Sequence, residues 1–220
     1  VVFELKKAVR AQRQEIEVKF FMQDLGKVGT RLRELGARLL RPRVYELNLR
    51  YDRSDGSLRR QHRVLRLRQS DDIRLTYKGP GSIVDGAMSR QEIEFTVGDF
   101  EAAKAFLETL DYRIIVMYEK YRTAYEIETP GVSEDAGCLV MLDELPYGNF
   151  IEIERPDAAS IHAAADSLSL KWETAITESY LMLFERLGKT RGLTFGEVRF
   201  ANFMHLNITA TDLGVCPAWD

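Results

Sequence analysis

A chain of 220 residues can bury a sizeable core, and it fits one large domain better than two small ones. Its 31 basic and 34 acidic residues leave a net charge of −3, which excludes a global nucleic-acid footprint and makes any basic site local. No apolar run is long enough to cross a bilayer, and the only cysteines, Cys138 and Cys216, lie far apart and outside metal-like spacing; no membrane span, disulfide framework or zinc site is expected, and a reducing cytoplasm fits best.

The opening stretch, VVFELKKAVRAQRQ, lacks an uninterrupted apolar core and a small-residue cleavage site, so it is not expected to be a secretory signal. QEIEVKF (14–20) alternates as a strand. In MQDLGKVGTRLRELGARLL (22–40) Leu25, Val28, Leu32 and Leu35 recur at helical spacing, which predicts an amphipathic helix. RVYELNLRYD (43–52), HRVLRLRQ (62–69) and IRLTYKG (73–79) are alternating strands separated by the turn signals SDG and SDD. GPGSIVDG (79–86) has glycines but no strand-to-helix context, so it is expected to be a hairpin connection rather than a phosphate loop. QEIEFTV (91–97) is a second Glu-Ile-Glu strand, followed by a helix in GDFEAAKAFLETL with Asp99 as cap and Phe100, Ala103, Phe106, Leu107 and Leu110 on one face.

Strands follow in IIVMYEKYRTAYEI (114–127), LVMLDEL (139–145) and FIEIERP (150–156), the last ended by Pro156. Helices are then expected in DAASIHAAADSLSL (157–170) and ETAITESYLMLFERLG (173–188). After Gly188 the chain begins like a short helix and loses its periodicity, so the domain is expected over 1–187 with a C-terminal appendage over 188–220. Strand-helix units interleaved with antiparallel strands predict an α+β fold.

Side chains at i, i+2 and i+4 share one face of a strand. Glu15, Glu17 and Lys19 therefore oppose Ile16, Val18 and Phe20. Arg66 and Arg68 oppose Leu65 and Leu67, while Arg74, Thr76 and Lys78 oppose Ile73, Leu75 and Tyr77. Arg90, Glu92 and Glu94 oppose Ile93 and Phe95; Lys120 and Arg122 oppose Tyr121 and Thr123; Glu152 and Glu154 oppose Ile151 and Ile153.

Two arrangements satisfy that pattern. The strands are half-buried with their charges in water, or the sheet curls so that its charged faces share a lumen and helices cover its apolar outside. In the second, acids Glu15, Glu17, Glu92, Glu94, Asp143, Glu152 and Glu154 balance bases Lys19, Arg66, Arg68, Lys78, Arg90, Lys120 and Arg122. Two such walls suit a strongly anionic ligand bridged by hard cations, such as polyphosphate with Mg²⁺ or Mn²⁺.

EIEVK resembles the Glu-x-Glu-x-Lys signature of the CYTH superfamily, the triphosphate tunnel metalloenzymes, and LRLR, LTYKGP, SRQEIEF, YEKYR and LDELPYGNFIEIE follow in that family's order, from about Glu15 to Leu187. The resemblance implies an antiparallel closed β-barrel, a tunnel of roughly eight strands with helices packed outside. It implies Glu15, Glu17, Glu152 and Glu154 as leading metal carboxylates, with Glu92, Glu94 and Asp143 as further ligands or base-positioning groups. Lys19, Arg66, Arg68, Lys78, Arg90, Lys120 and Arg122 would hold phosphates, and Glu15, Glu17 and Lys19 would form the catalytic signature. One cation would neutralise phosphate oxygens and a second would activate the nucleophile.

YELNLRYD departs from the family's Asp-x-Tyr pattern, which leaves the roles of Asn48 and Asp52 open. His62, His162 and His205 are expected to be structural or solvated, and Trp172 and Tyr180 to be packing residues. The implied reactions are hydrolysis of an inorganic or organic triphosphate and, as the alternative, a class IV adenylate cyclase; a non-catalytic polyphosphate- or nucleotide-binding module is the third reading. The expected partner is a small triphosphate or nucleotide, without membrane or nucleic acid, and a homodimer is left open.

Overall fold

The computed structural model describes residues 13–128, 137–155 and 157–219. The readings of the opening residues and of Pro156 as a strand end fall outside them. The elements, in chain order, are β1 (Arg13–Met22), α1 (Leu25–Glu34), β2 (Arg38–Arg53), α2 (Ser57–Arg60), β3 (Val64–Gln69), β4 (Ile73–Val84) and β5 (Ala87–Thr96). They continue as α3 (Phe100–Thr109), β6 (Tyr112–Ile127), β7 (Cys138–Leu145), β8 (Gly148–Arg155), α4 (Ala158–Ser167), α5 (Tyr180–Arg191), α6 (Phe200–Phe203) and α7 (Ala210–Leu213). The eight strands close into an antiparallel barrel in the order β1-β5-β4-β3-β2-β6-β7-β8. Closure comes from β1, which pairs with β5 through Arg13–Glu17 and with β8 through Ile16–Met22.

The apolar strand faces point outward. Ile16, Val18 and Phe20 of β1 and Ile151 and Ile153 of β8 pack with Val28 and Leu32 of α1 and with Ile161, Ala164 and Ala165 of α4. Leu49, Tyr51 and Leu67 pack under Phe100 and Leu107 of α3. Asp24 caps α1, accepting from the Gly26 and Lys27 amides, and Asp99 caps α3 as its sequence position predicts.

The sequence expectation differs from the structure at three boundaries. α1 ends at Glu34, because Gly36 takes a left-handed φ of 74° and Arg38–Leu40 already belong to β2. GPGSIV continues β4 rather than forming a loop; the turn is Asp85–Gly86 alone, with φ of 47° and 80°, the two left-handed residues that a tight two-residue hairpin requires. Helix does not run through 173–188: a 3₁₀ turn at Trp172–Thr174 precedes α5, which starts after its Ser179 cap. On α3, Phe106 is 61 % exposed and Leu110, past the helix end, is 47 % exposed, so the buried stripe is narrower than the sequence suggests.

The C-terminal region completes the strand edges that the barrel leaves open. Beyond Glu17, β5 no longer covers β1, and Lys19 there exchanges backbone hydrogen bonds with Ile176 while the Ala218 amide donates to Phe21. β7 pairs with β6 only from Tyr121 onward, so Val198 takes the Met117–Glu119 edge. Val198, Phe203 and Leu213 join Tyr147, Phe150 and α5 residues Leu183, Phe184 and Leu187 in a core at that end of the barrel.

Candidate functional site

The inward faces enclose a cavity of about 340 Å³. Glu15, Glu17, Lys19, Arg66, Arg68, Lys78, Arg90, Glu92, Glu94, Lys120, Arg122, Glu152 and Glu154 all line it. The lumen arrangement is therefore the one this chain adopts, since the isoleucines of the same strands lie outside under helices. Asp143, the remaining candidate, is fully buried behind the wall, where Lys120 donates to it at 3.0 Å, Arg122 at 2.5 Å and the Tyr180 hydroxyl at 2.8 Å.

Acids and bases interleave around the wall. Lys78 Nζ lies 2.6 Å from Glu15, 3.4 Å from Glu92 and 3.8 Å from Glu17. Lys19 Nζ bridges Glu17 at 2.9 Å and Glu152 at 3.1 Å, and Arg90 reaches Glu17 at 2.6 Å. Arg122 also pairs with Glu152, and Arg66 faces Glu94 at 3.6 Å. These cross-strand contacts follow from register: Glu15 stands opposite Arg90, Lys78 opposite Glu92, and Lys19 opposite Glu152.

Charge balance differs from one carboxyl to the next. Burial pushes Glu15 up to about 7; Lys78 opposes the shift, but the nearby Glu17 and Glu92 reinforce it. For Glu17 burial acts in the same direction, yet Lys19, Lys78 and Arg90 outweigh it and hold the carboxyl down at about 2. Glu152 is lowered against its burial by Lys19 and Arg122, and Asp143 is lowered to about 2 against its burial by Arg122 and Lys120.

Several lumen residues escaped the sequence reading. Glu46 of β2 is fully buried, 3.4 Å from Arg68 and 3.6 Å from Lys120, without a hydrogen bond to either carboxylate oxygen. Glu46 lies behind the wall, whereas Arg50, Tyr118 and Arg41 line the cavity, as do Arg74, which the sequence put on the charged face but not among the candidates, and Tyr180, which does more than pack. The alternation Glu46, Asn48, Arg50 carried the signal for β2, whereas nothing local marked Tyr180. Trp172 does pack, against Phe20 and His162.

A divalent cation suits this donor set. The lining acids offer only carboxylate oxygens, the hard ligands that Mg²⁺ and Mn²⁺ take. Among the described residues no group of three or more metal-type side chains is preassembled into a cage. Instead the Lys78 and Lys19 ammoniums sit between carboxylates from different strands, in positions whose positive charge a metal would share or replace.

A CYTH domain model matches residues 13–180. A Methanocaldococcus jannaschii protein named "Putative adenylate cyclase" is 28% identical over 142 residues, 64% of this chain and 76% of that one. A like-named protein of Vibrio parahaemolyticus shares the fold with a TM-score of 0.64 at 18% identity, covering 76% of this chain and 95% of that one. So does a Pyrococcus horikoshii protein, with a TM-score of 0.60 at 25% identity over 78% of this chain and 98% of its own. A Hippeastrum protein, named as an adenylyl cyclase of the same provisional kind and described as having a dominant triphosphatase activity, has a TM-score of 0.58 at 17% identity, covering 78% of this chain and 95% of that one.

Proposed function

The chain belongs to the CYTH domain family, and from that premise we propose that it hydrolyses a triphosphate, inorganic or organic, inside the barrel with Mg²⁺ or Mn²⁺ as cofactor. The observation that carries this reading is the convergence of Arg66, Arg68, Lys78, Arg90, Lys120 and Arg122 with Glu15, Glu17, Glu152 and Glu154 on one enclosed cavity. A polyanion accompanied by a hard cation uses both sets at once, whereas either alone would leave the other charge uncompensated.

In this reading Glu15, Glu17, Glu152 and Glu154 hold the metal, with Glu92, Glu94 and Asp143 as further ligands or positioning groups. The bound cation supplies charge neutralisation at phosphate oxygens and activation of the nucleophile. Lys19 and Lys78, released from their carboxylates, turn their ammoniums to the phosphates. Arg66, Arg68, Arg90, Lys120 and Arg122 orient the triphosphate, and the closed wall keeps bulk water from the reacting chain. Tyr180 acts on Asp143, which in turn fixes Lys120 and Arg122. The two free cysteines agree with a cytoplasmic setting.

A second reading, class IV adenylate cyclase, draws on the apolar strip of Ala124, Leu139 and Met141 in the same cavity, which offers room for an organic substituent. The Hippeastrum relative's dominant triphosphatase activity is why hydrolysis is preferred. Incubation with Mg²⁺ or Mn²⁺ and either tripolyphosphate or ATP, followed by assay of phosphate, pyrophosphate and cyclic AMP, decides between them. Metal-dependent phosphate release supports hydrolysis, cyclic AMP with pyrophosphate supports the cyclase, and binding without turnover leaves a binding module.

A further inference from the structure

Among the described residues, Arg50 has no carboxylate within ion-pair distance. Each other described lysine or arginine lining the cavity has a carboxylate within 4.0 Å, the longest being Arg66 with Glu94 at 3.6 Å for its nearest pair. Arg50 makes neither an ion pair nor a side-chain hydrogen bond among them, and the favourable electrostatics at its guanidinium come from the Tyr118 hydroxyl and from Glu185 beyond ion-pair distance. It stands directly opposite Arg66 in the β2–β3 register, so two guanidiniums share one cross-strand position on the inner face. Like charges so placed destabilise a sheet unless an anion lies between them.

Asn48 precedes Arg50 on that face and is fully buried, with neither its amide oxygen nor its amide nitrogen hydrogen-bonded. A buried amide left unsatisfied is costly, and beside a half-buried guanidinium without a carboxylate it marks a place prepared for a ligand. Burial, with Arg66 and Arg90 as like-charged neighbours, also pushes the Arg50 pKa below its ordinary value, although Tyr118 and Glu185 act the other way.

We propose that Arg50 and Arg66, backed by Asn48 in the wall behind them, form a subsite for the terminal phosphate of the substrate and thereby fix the direction in which the phosphate chain lies. The proposal rests on the triphosphate reading above. A terminal phosphate carries a second ionisation that an internal one lacks, so it calls for more positive charge and more donors. Two facing guanidiniums supply both the charge and the donors. Asn48 pairs with Tyr118, which bridges to Val198, so the subsite lies toward the part of the cavity lined by Tyr147, Phe184 and Val198, and the terminal phosphate points toward α5.

The test is calorimetric binding in Mg²⁺ of hydrolysis-resistant imidotriphosphate, with and without methyl caps on both terminal phosphates, to the parent, Arg50→Ala and Arg50→Lys proteins. The parent should prefer the uncapped compound. Arg50→Ala should weaken uncapped binding by about 10- to 100-fold, the worth of one charge-assisted contact, and should lose most of the preference over the capped compound. Arg50→Lys should recover part of both. Because Arg50 faces a like charge and has no carboxylate in contact among the described residues, the melting temperature of Arg50→Ala should not fall, which separates this role from a structural one. Undiminished affinity in Arg50→Ala, or weaker binding with the discrimination against caps intact, overturns the subsite while leaving the triphosphate reading standing. Failure of the parent to bind either compound overturns both.

Discussion

Replacing Glu15 with Gln tests the electrostatics of the lumen most directly. The carboxyl is 6 % exposed and titrates near about 7 in the fold, against 4.5 as its ordinary value. The fold thus favours the protonated form by about 2.5 pH units, or ~3 kcal/mol. For an acid raised in this way the stabilisation is fully present below pH 4.5 and is lost as pH climbs through about 7. In chelator, therefore, the parent should lose stability relative to Glu15→Gln between those limits and run parallel to it above them. With a urea slope of about 2 kcal/mol/M, the denaturation midpoint of the parent should fall by ~1.5 M relative to the variant. Urea melts of both proteins at pH 4.5 and pH 8 measure this double difference, in which other titrating groups cancel. A metal takes only the ionised carboxylate, so saturating Mg²⁺ should restore the parent at pH 8 and leave the variant little changed, with proton release on binding near neutral pH. A midpoint difference between the two proteins that stays constant with pH would show that Glu15 is not held protonated, and the account of the acidic wall would fail with it.

The other consequences concern activity. Glu17 accepts from Lys19 and Arg90, and Glu17→Gln should cut kcat by two orders of magnitude or more, as should excess chelator; full turnover in either case rules out the metal mechanism. Arg66→Ala and Arg68→Ala should raise KM for tripolyphosphate about tenfold or more with smaller effects on kcat, and an unchanged KM in both would put these arginines outside the substrate path. Tyr180→Phe removes the hydroxyl that donates to Asp143 at 2.8 Å while Lys120 and Arg122 still hold that carboxylate. It should cost about 1 kcal/mol in urea melts and raise KM severalfold; a variant identical to the parent in both would reduce Tyr180 to packing.

The strands and their faces were legible because period-two alternation is written locally: Glu15, Glu17 and Lys19 could not share a face with Ile16 and Val18. The ends of elements were less so. α1 and β2 meet within Leu35–Arg38, where apolar spacing continues into the strand and the left-handed Gly36 is the only break. Pro80 and two glycines disguised the second half of β4, which accommodates them as an irregularity between Lys78 and Gly81. β2 was recognised as a strand, but its faces were not assigned and the departure from the family motif left Asn48 open, so Glu46 and Arg50 did not enter the candidate site.

Alternation alone cannot say which face is inside, because curling is a non-local property. It depends on β1 pairing with both β5 and β8, strands about 70 and 130 residues away, and no local window of sequence records that closure. What made the inverted reading physically tolerable was the matched charge of the inward set. Glu15 meets Lys78, Glu17 meets Arg90, and Glu152 meets Lys19, so nearly every buried charge has an opposite within contact distance. The exceptions carry the most information about ligands, since a fold that pairs so many lumen cations with carboxylates has little structural use for a described one that it leaves without. Arg50, facing another arginine beside an unsatisfied amide, lacks the carboxylate that the other cavity cations have, and an anion entering the barrel would supply that charge.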